Sequence, residues 1–195
     1  EHLKREMEVS IAAGELVGKL YDALHKQYAN PDSEESLKSL NVLCVRLVFC
    51  LYAEDAGIFG HHGMFHDYLA EYDTRKMRKS IVELFKVLDT EPAKRDPYLK
   101  DDNPKLAAFP YVNGGLFANE DIEIPPFTDD IRQLLLEKAS ADFGVEHCKA
   151  VGYWDYDGKD YEDKVSPSDL GKYKFEQIIN TEIKMIGDEI DEDEL

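Results

Sequence analysis

Glu54 and Asp55 stand side by side at the end of the apolar run RLVFCLYAEDAGIFG, Arg46 to Gly60. Paired carboxylates divide acid and base roles in catalysis or hold a metal. Adjacent helical positions point about 100° apart, however, so these two do not easily share one ligand. The structural alternative is stronger. A carboxylate near a helix C-terminus opposes the helix dipole and calls for a specific donor. Arg46, whose charge is expensive to bury unpaired in so apolar a helix, is a fitting partner for it. Gly57 then breaks the helical pattern.

Downstream, GHHGMFH supplies His61, His62 and His66, which with Glu54 or Asp67 offer ligands that suit zinc. Such a set would make a small metal-dependent hydrolase. Gly63, between His62 and His66, weakens the helix that would align them, so the spacing favours a loop of solvent-facing histidines and no metal site. Asp155, Asp157 and Asp160 form part of a calcium-loop pattern, but Gly158 stands fourth where an EF-hand needs glycine sixth. A plain turn fits better. Arg75, Lys76, Arg78 and Lys79 crowd the start of a helix, where their charge opposes the dipole; they suit contact with backbone phosphate.

The chain carries no phosphate-binding glycine loop, no GxSxG, no glycine-rich S-adenosylmethionine fingerprint and no convincing D…ExK nuclease set. Pro125-Pro126 is preceded by Ile124, not by the Asn or Asp of an adenine-methyltransferase motif. No catalytic residue is therefore assigned. The balance of 23 basic against 41 acidic residues gives a net charge of −18, which repels phosphate, so DNA would be met only with the help of neighbouring parts. Between Asp155 and Leu195 alone there are 14 acidic and 5 basic residues. Cys44, Cys50 and Cys148 show no CxxC spacing and fit a reducing cytoplasm. The longest nearly apolar run, Val42 to Ala53, is too short to span a bilayer, so no membrane association is expected.

The elements that would position these residues are helical. Apolar spacing predicts an amphipathic helix over Ile11 to Tyr28, closed by Asn30-Pro31. Asp32 and Glu35 have capping-box spacing and open a second helix. This one is apolar on every side from Val42 to Leu51 and should be surrounded by protein. A third helix carries Met77, Ile81, Leu84, Phe85 and Leu88, and Thr128 is a natural N-cap for a fourth through Ala139. In FPYVNGGLF, Asn113, Gly114 and Gly115 tolerate positive φ between apolar flanks and predict a tight turn or a short hairpin. Beyond Phe143, GYWDYDGKDYEDK signals a hairpin and Ser168 to Ile186 a helix. The expected fold is mostly α, a helical bundle-like body with a small mixed α/β acidic C-terminal piece.

Four stretches in order, RLVFCLYAEDAGIFG, SIVELFKVLDT, FPYVNGGLFANE and IPPFTDDIRQLLLEKASADF, resemble the middle of the large single-chain restriction–modification enzymes of the MmeI type and related adenine-specific DNA methyltransferases. The resemblance covers about residues 8 to 143; from Gly144 the chain departs from the family pattern. It implies a helical spacer over residues 1–90 and a linker with a turn and a helix over 91–143 leading toward a methyltransferase domain; residues 144–195 are an acidic C-terminal segment of unrecognised type. It implies that the parent enzyme uses S-adenosylmethionine, bound outside this chain, with the enzyme's other domains as partners. Arg46, Glu54, Asp55 and Gly57 would then end the core helix and hold the next loop, and Asn113, Gly114 and Gly115 would turn the chain onward. Two other functions compete: an acidic protein-interaction or DNA-mimic module using Asp155 to Leu195, and the histidine-based hydrolase.

Overall fold

The computed structural model describes residues 18–55, 57–61, 63–112, 115–118 and 121–138. Asn113, Gly114, His62 and everything from residue 139, including the acidic C-terminal piece and its expected hairpin, lie outside the described residues. Helix α1 spans 18–25. It is followed by α2 (Glu34–Asp55), α3 (Met64–Ala70), α4 (Thr74–Leu88), a 3-10 turn (Pro92–Lys94), α5 (Leu99–Asp102), α6 (Pro104–Ala107) and α7 (Asp129–Lys138). Among the described residues there is no strand, and no helix is long and apolar enough to cross a membrane.

Helix α2 is the axis of the body. Every residue from Leu43 to Leu51 is buried, so neighbours cover it all round, as its apolar pattern requires. Its start differs in detail from the sequence expectation. The helix begins at Glu34, which puts Ser33 at the cap, and Ser33 Oγ accepts the Ser36 N–H at 3.2 Å. Asp32, one residue too early to cap, pairs with His25 Nε2 at 3.1 Å.

The end of α2 is set by Gly57. With φ +74 it occupies the left-handed region, and the Ile58 N–H donates back to the Ala53 carbonyl at 2.9 Å, the long return bond of a Schellman motif. Helix α3 packs on α2 and α7, and α4 packs on α6 and α7. Helix α4 buries Met77, Ile81, Leu84, Phe85 and Leu88 along one stripe, and Asp73 caps it by accepting the Lys76 N–H at 3.0 Å. At the head of α7, Thr128 Oγ1 accepts the Ile131 N–H at 3.3 Å.

The stretch after residue 90 is built into this same core. Leu106, Phe109, Val112, Phe117, Ile124 and Phe127 are all buried with α2 and α4. The extended segment at 121–128 is pinned from two sides: Ser39 Oγ accepts the Glu123 N–H at 3.0 Å, and Tyr28 Oη donates to the Glu123 carbonyl at 2.8 Å.

Candidate functional site

Glu54 and Arg46 lie on the same helix, eight positions apart, and each fastens a different loop. Glu54 is fully buried, and its Oε2 accepts the backbone N–H of His66 at 2.9 Å. His66 is the third residue of α3, whose N-cap, Gly63, has no side chain to offer. The carboxylate of α2 therefore does for α3 what a local Ser or Asp does elsewhere, satisfying one of the free donors of its first turn. A negative charge there also favours the α3 dipole.

Arg46 is 3% exposed. Its Nε donates to the Leu116 carbonyl at 2.9 Å. The guanidinium lies over the Phe85 and Phe117 rings, at 5.2 and 5.6 Å from their centroids, a geometry in which the ring faces attract the cation. Burial pulls its pKa below the usual arginine range, and the Asp89 carboxylate acts in the opposite direction.

The other expected site residues fall as follows. Asp55 is the last residue of α2, and Gly57 shapes the turn after it. Gly115 has φ +82 and lies just before Leu116, whose carbonyl Arg46 holds. His61 is exposed, and His66 turns its ring Nδ1 to Asp67 at 3.2 Å. Among the described residues no group of three or more His, Cys, Asp and Glu side chains is placed to hold a metal. Arg75, Lys76, Arg78 and Lys79 are exposed on α4, and Arg78 also donates through Nε to the Ile124 carbonyl at 2.6 Å.

Between α4 and the loops it fastens lies a cleft of about 300 Å³, lined by Arg46, Arg78, Lys86, Asp89, Phe85 and Phe117, with Ile122 and Ile124 on its far wall. Lys86 and Asp89 were not singled out from sequence. They continue the helical period of the basic run, Lys79 to Lys86 being seven residues, so extending that stripe along α4 would have found the lysine. Arg95 was missed as well. It donates to the carbonyls of Thr90 at 3.0 Å, Phe109 at 2.8 Å and Val87 at 2.9 Å, and so ties the end of α4 to the loop after α6.

The two most distinctive stretches of the sequence meet through aromatic rings. Phe59 packs edge-on against Phe109 with centroids 5.1 Å apart, and Phe49 against Phe117 at 5.8 Å. Phe109 continues the contact to Tyr68 of α3 at 5.6 Å, and Phe117 to Phe85 of α4 at 5.3 Å. RLVFCLYAEDAGIFG and FPYVNGGLF are thus two halves of one packed unit. Residues 38–117, which contain both, match the family described as "MmeI, helicase spacer domain". This region of the chain is an MmeI-type spacer.

Two relatives agree with that assignment. The chain is 33% identical over 137 residues to DNA methyltransferase A of Bacillus subtilis (strain 168), an alignment that takes in 69% of this chain and 14% of the relative. It is also similar to the solved structure of the Type IIL restriction–modification enzyme MmeI in complex with DNA, with a TM-score of 0.58 and 33% identity. That match covers 75% of this chain and 19% of the MmeI chain. The chain therefore spans less than a fifth of the length of either protein.

Proposed function

We propose that the spacer is a non-catalytic, load-transmitting body of a larger cytoplasmic restriction–modification methyltransferase, setting the distance and orientation between a nuclease part and a methyltransferase part. The enzyme as a whole would transfer a methyl group from S-adenosylmethionine to adenine in DNA, with the cofactor bound outside this chain. The observation that carries this reading is the interlock of Phe59 with Phe109 and Phe49 with Phe117, reinforced by Arg46 on Leu116. Those contacts bolt the segment that leads onward in the chain to the central helix. Rigid placement of reacting parts is a catalytic contribution in its own right, since misplacement by about 1 Å can cut a rate roughly a hundredfold.

In this reading the spacer proper runs through the matched stretch to residue 117, and the segment beyond it, with helix α7, forms the run-in to the methyltransferase. The exposed Arg75, Lys76, Arg78 and Lys79 of α4 meet backbone phosphate once the other domains have brought DNA close. Such contacts position a duplex without reading its sequence. Calorimetric titration of S-adenosylmethionine into the purified 195-residue chain tests the proposal. No binding is expected, and saturable binding of the cofactor would overturn the non-catalytic role.

A further inference from the structure

Helix α4 carries more positive charge than its first turn suggests. Around the helix axis Arg75, Lys79 and Lys86 fall within about 40° of one another, with Arg78 about 60° to one side. Over the twelve residues from Arg75 to Lys86 the stripe is about 16 Å long. Its far end opens into the cleft of about 300 Å³, where Arg78 and Lys86 are joined by the buried Arg46. Among the described residues, three cations and one carboxylate, Asp89, therefore line a single cleft in a chain whose net charge is −18.

These charges have different duties. Arg46 is engaged with Leu116 and the two phenylalanine rings and acts as a fixed field behind the cleft. Arg78 spends Nε on Ile124, which anchors the side chain and leaves its terminal nitrogens for a ligand. Lys86 is exposed, and among the described residues its ammonium has no ion pair or hydrogen bond. A guanidinium fork beside an ammonium, over low-dielectric walls of Phe85 and Phe117, is an arrangement that concentrates an oxyanion.

We propose that this cleft is a phosphate-binding site, with Arg78 and Lys86 as the direct contacts, Arg46 as the buried charge behind them and Asp89 as the group that limits its strength. The site itself requires only a phosphate group. That the phosphate belongs to a DNA strand rests on the function proposed above.

The test uses the full 195-residue chain in about 0.1 M salt, which screens the distant acidic charge beyond about 10 Å. Inorganic phosphate and a short DNA duplex are titrated separately, with binding followed by calorimetry and by the shifts of the Lys86 and Phe117 amide resonances. Both probes should move the same resonances. Lys86→Glu should weaken each by about fivefold, and Asp89→Asn should tighten each, a gain that a merely structural carboxylate would not produce. Lys94→Glu, an exposed reversal outside the cleft, should leave phosphate binding unchanged. If phosphate binds and the duplex does not, the cleft stands and its assignment to DNA falls. If the duplex binds but neither phosphate nor Lys86→Glu affects the cleft resonances, DNA contact stands and the cleft proposal is overturned. Silence toward both probes overturns the cleft as well.

Discussion

The Glu54 carboxylate reaches across from α2 to the backbone N–H of His66, at 2.9 Å, and in doing so caps a helix whose own N-cap residue is glycine. The pair is separated by twelve residues and shielded from water on the Glu54 side. Replacing Glu54 by Ala should therefore cost about 2–3 kcal/mol, because it leaves a buried donor unsatisfied and opens a void. Glu54→Gln, which keeps an acceptor of the same shape, should cost clearly less. Urea unfolding of the three proteins measures both; equal stability of wild type and Glu54→Ala would show that the contact does not hold the fold.

Arg95 joins α4 to the segment beyond α6 through the carbonyls of Val87, Thr90 and Phe109. A lysine cannot reproduce a planar fork with donors in three directions. Arg95→Lys should lose most of what Arg95→Ala loses, about 2 kcal/mol, and amide exchange should quicken first around Phe109 and Val112. A lysine variant as stable as wild type would mean that charge alone, not the fork, supports this junction.

What could be read from the sequence tracks what depends on periodicity and local chemistry. The buried stripe of α4 and the all-round burial of α2 follow from apolar spacing, and the Thr128 cap follows from a hydroxyl placed just before an apolar run. The start of α2 was harder to read because DSEES offers several side chains that could cap, and only the position of the first helical residue decides for Ser33. The partners of Glu54 and Arg46 were out of reach for another reason. Both bond to backbone atoms, of His66 and Leu116, and no side-chain pattern marks a particular amide or carbonyl. Gly63 before a helix is the one local hint, since a cap without a side chain invites an acceptor from elsewhere. Arg95 sits among prolines and aspartates that show no period at all.

The core thiols and phenols make stability depend on pH at the alkaline end. Burial pushes Cys44 and Cys50 well above the usual 9.0, and Tyr28 and Tyr68 well above the usual 10.0. Each group is neutral when protonated, so the unfolded chain releases its proton at a lower pH than the folded chain does. This contribution to stability is whole below pH 9 and is lost as pH rises toward the folded-state values. Each group can remove up to about 1.4 kcal/mol per pH unit. Urea midpoints measured with a reductant present should be flat from about pH 7 to 8.5 and fall above about 9. Iodoacetamide should leave Cys44 and Cys50 unmodified in the folded protein; rapid labelling of either would contradict their burial.

The contact between Phe59 and Phe109 joins the loop after α2 to the loop after α6, and its strength can be separated from simple burial. Both rings are nearly inaccessible, at 3% and 1% exposure, so each single change to Leu removes apolar area and leaves some void whatever its neighbour is. The edge-to-face attraction, by contrast, exists only while both rings are present. A double-mutant cycle of Phe59→Leu, Phe109→Leu and the double variant should return a coupling of about 0.5–1.5 kcal/mol. The same cycle on Phe59 and Phe85, for which no direct ring contact joins the two side chains, should return a value within about 0.5 kcal/mol of zero. If the first coupling were as small as the second, the two loops would be held by bulk burial and not by this pair. The onward segment would then be free to slide against α2, and a rigid spacer would lose its principal bolt.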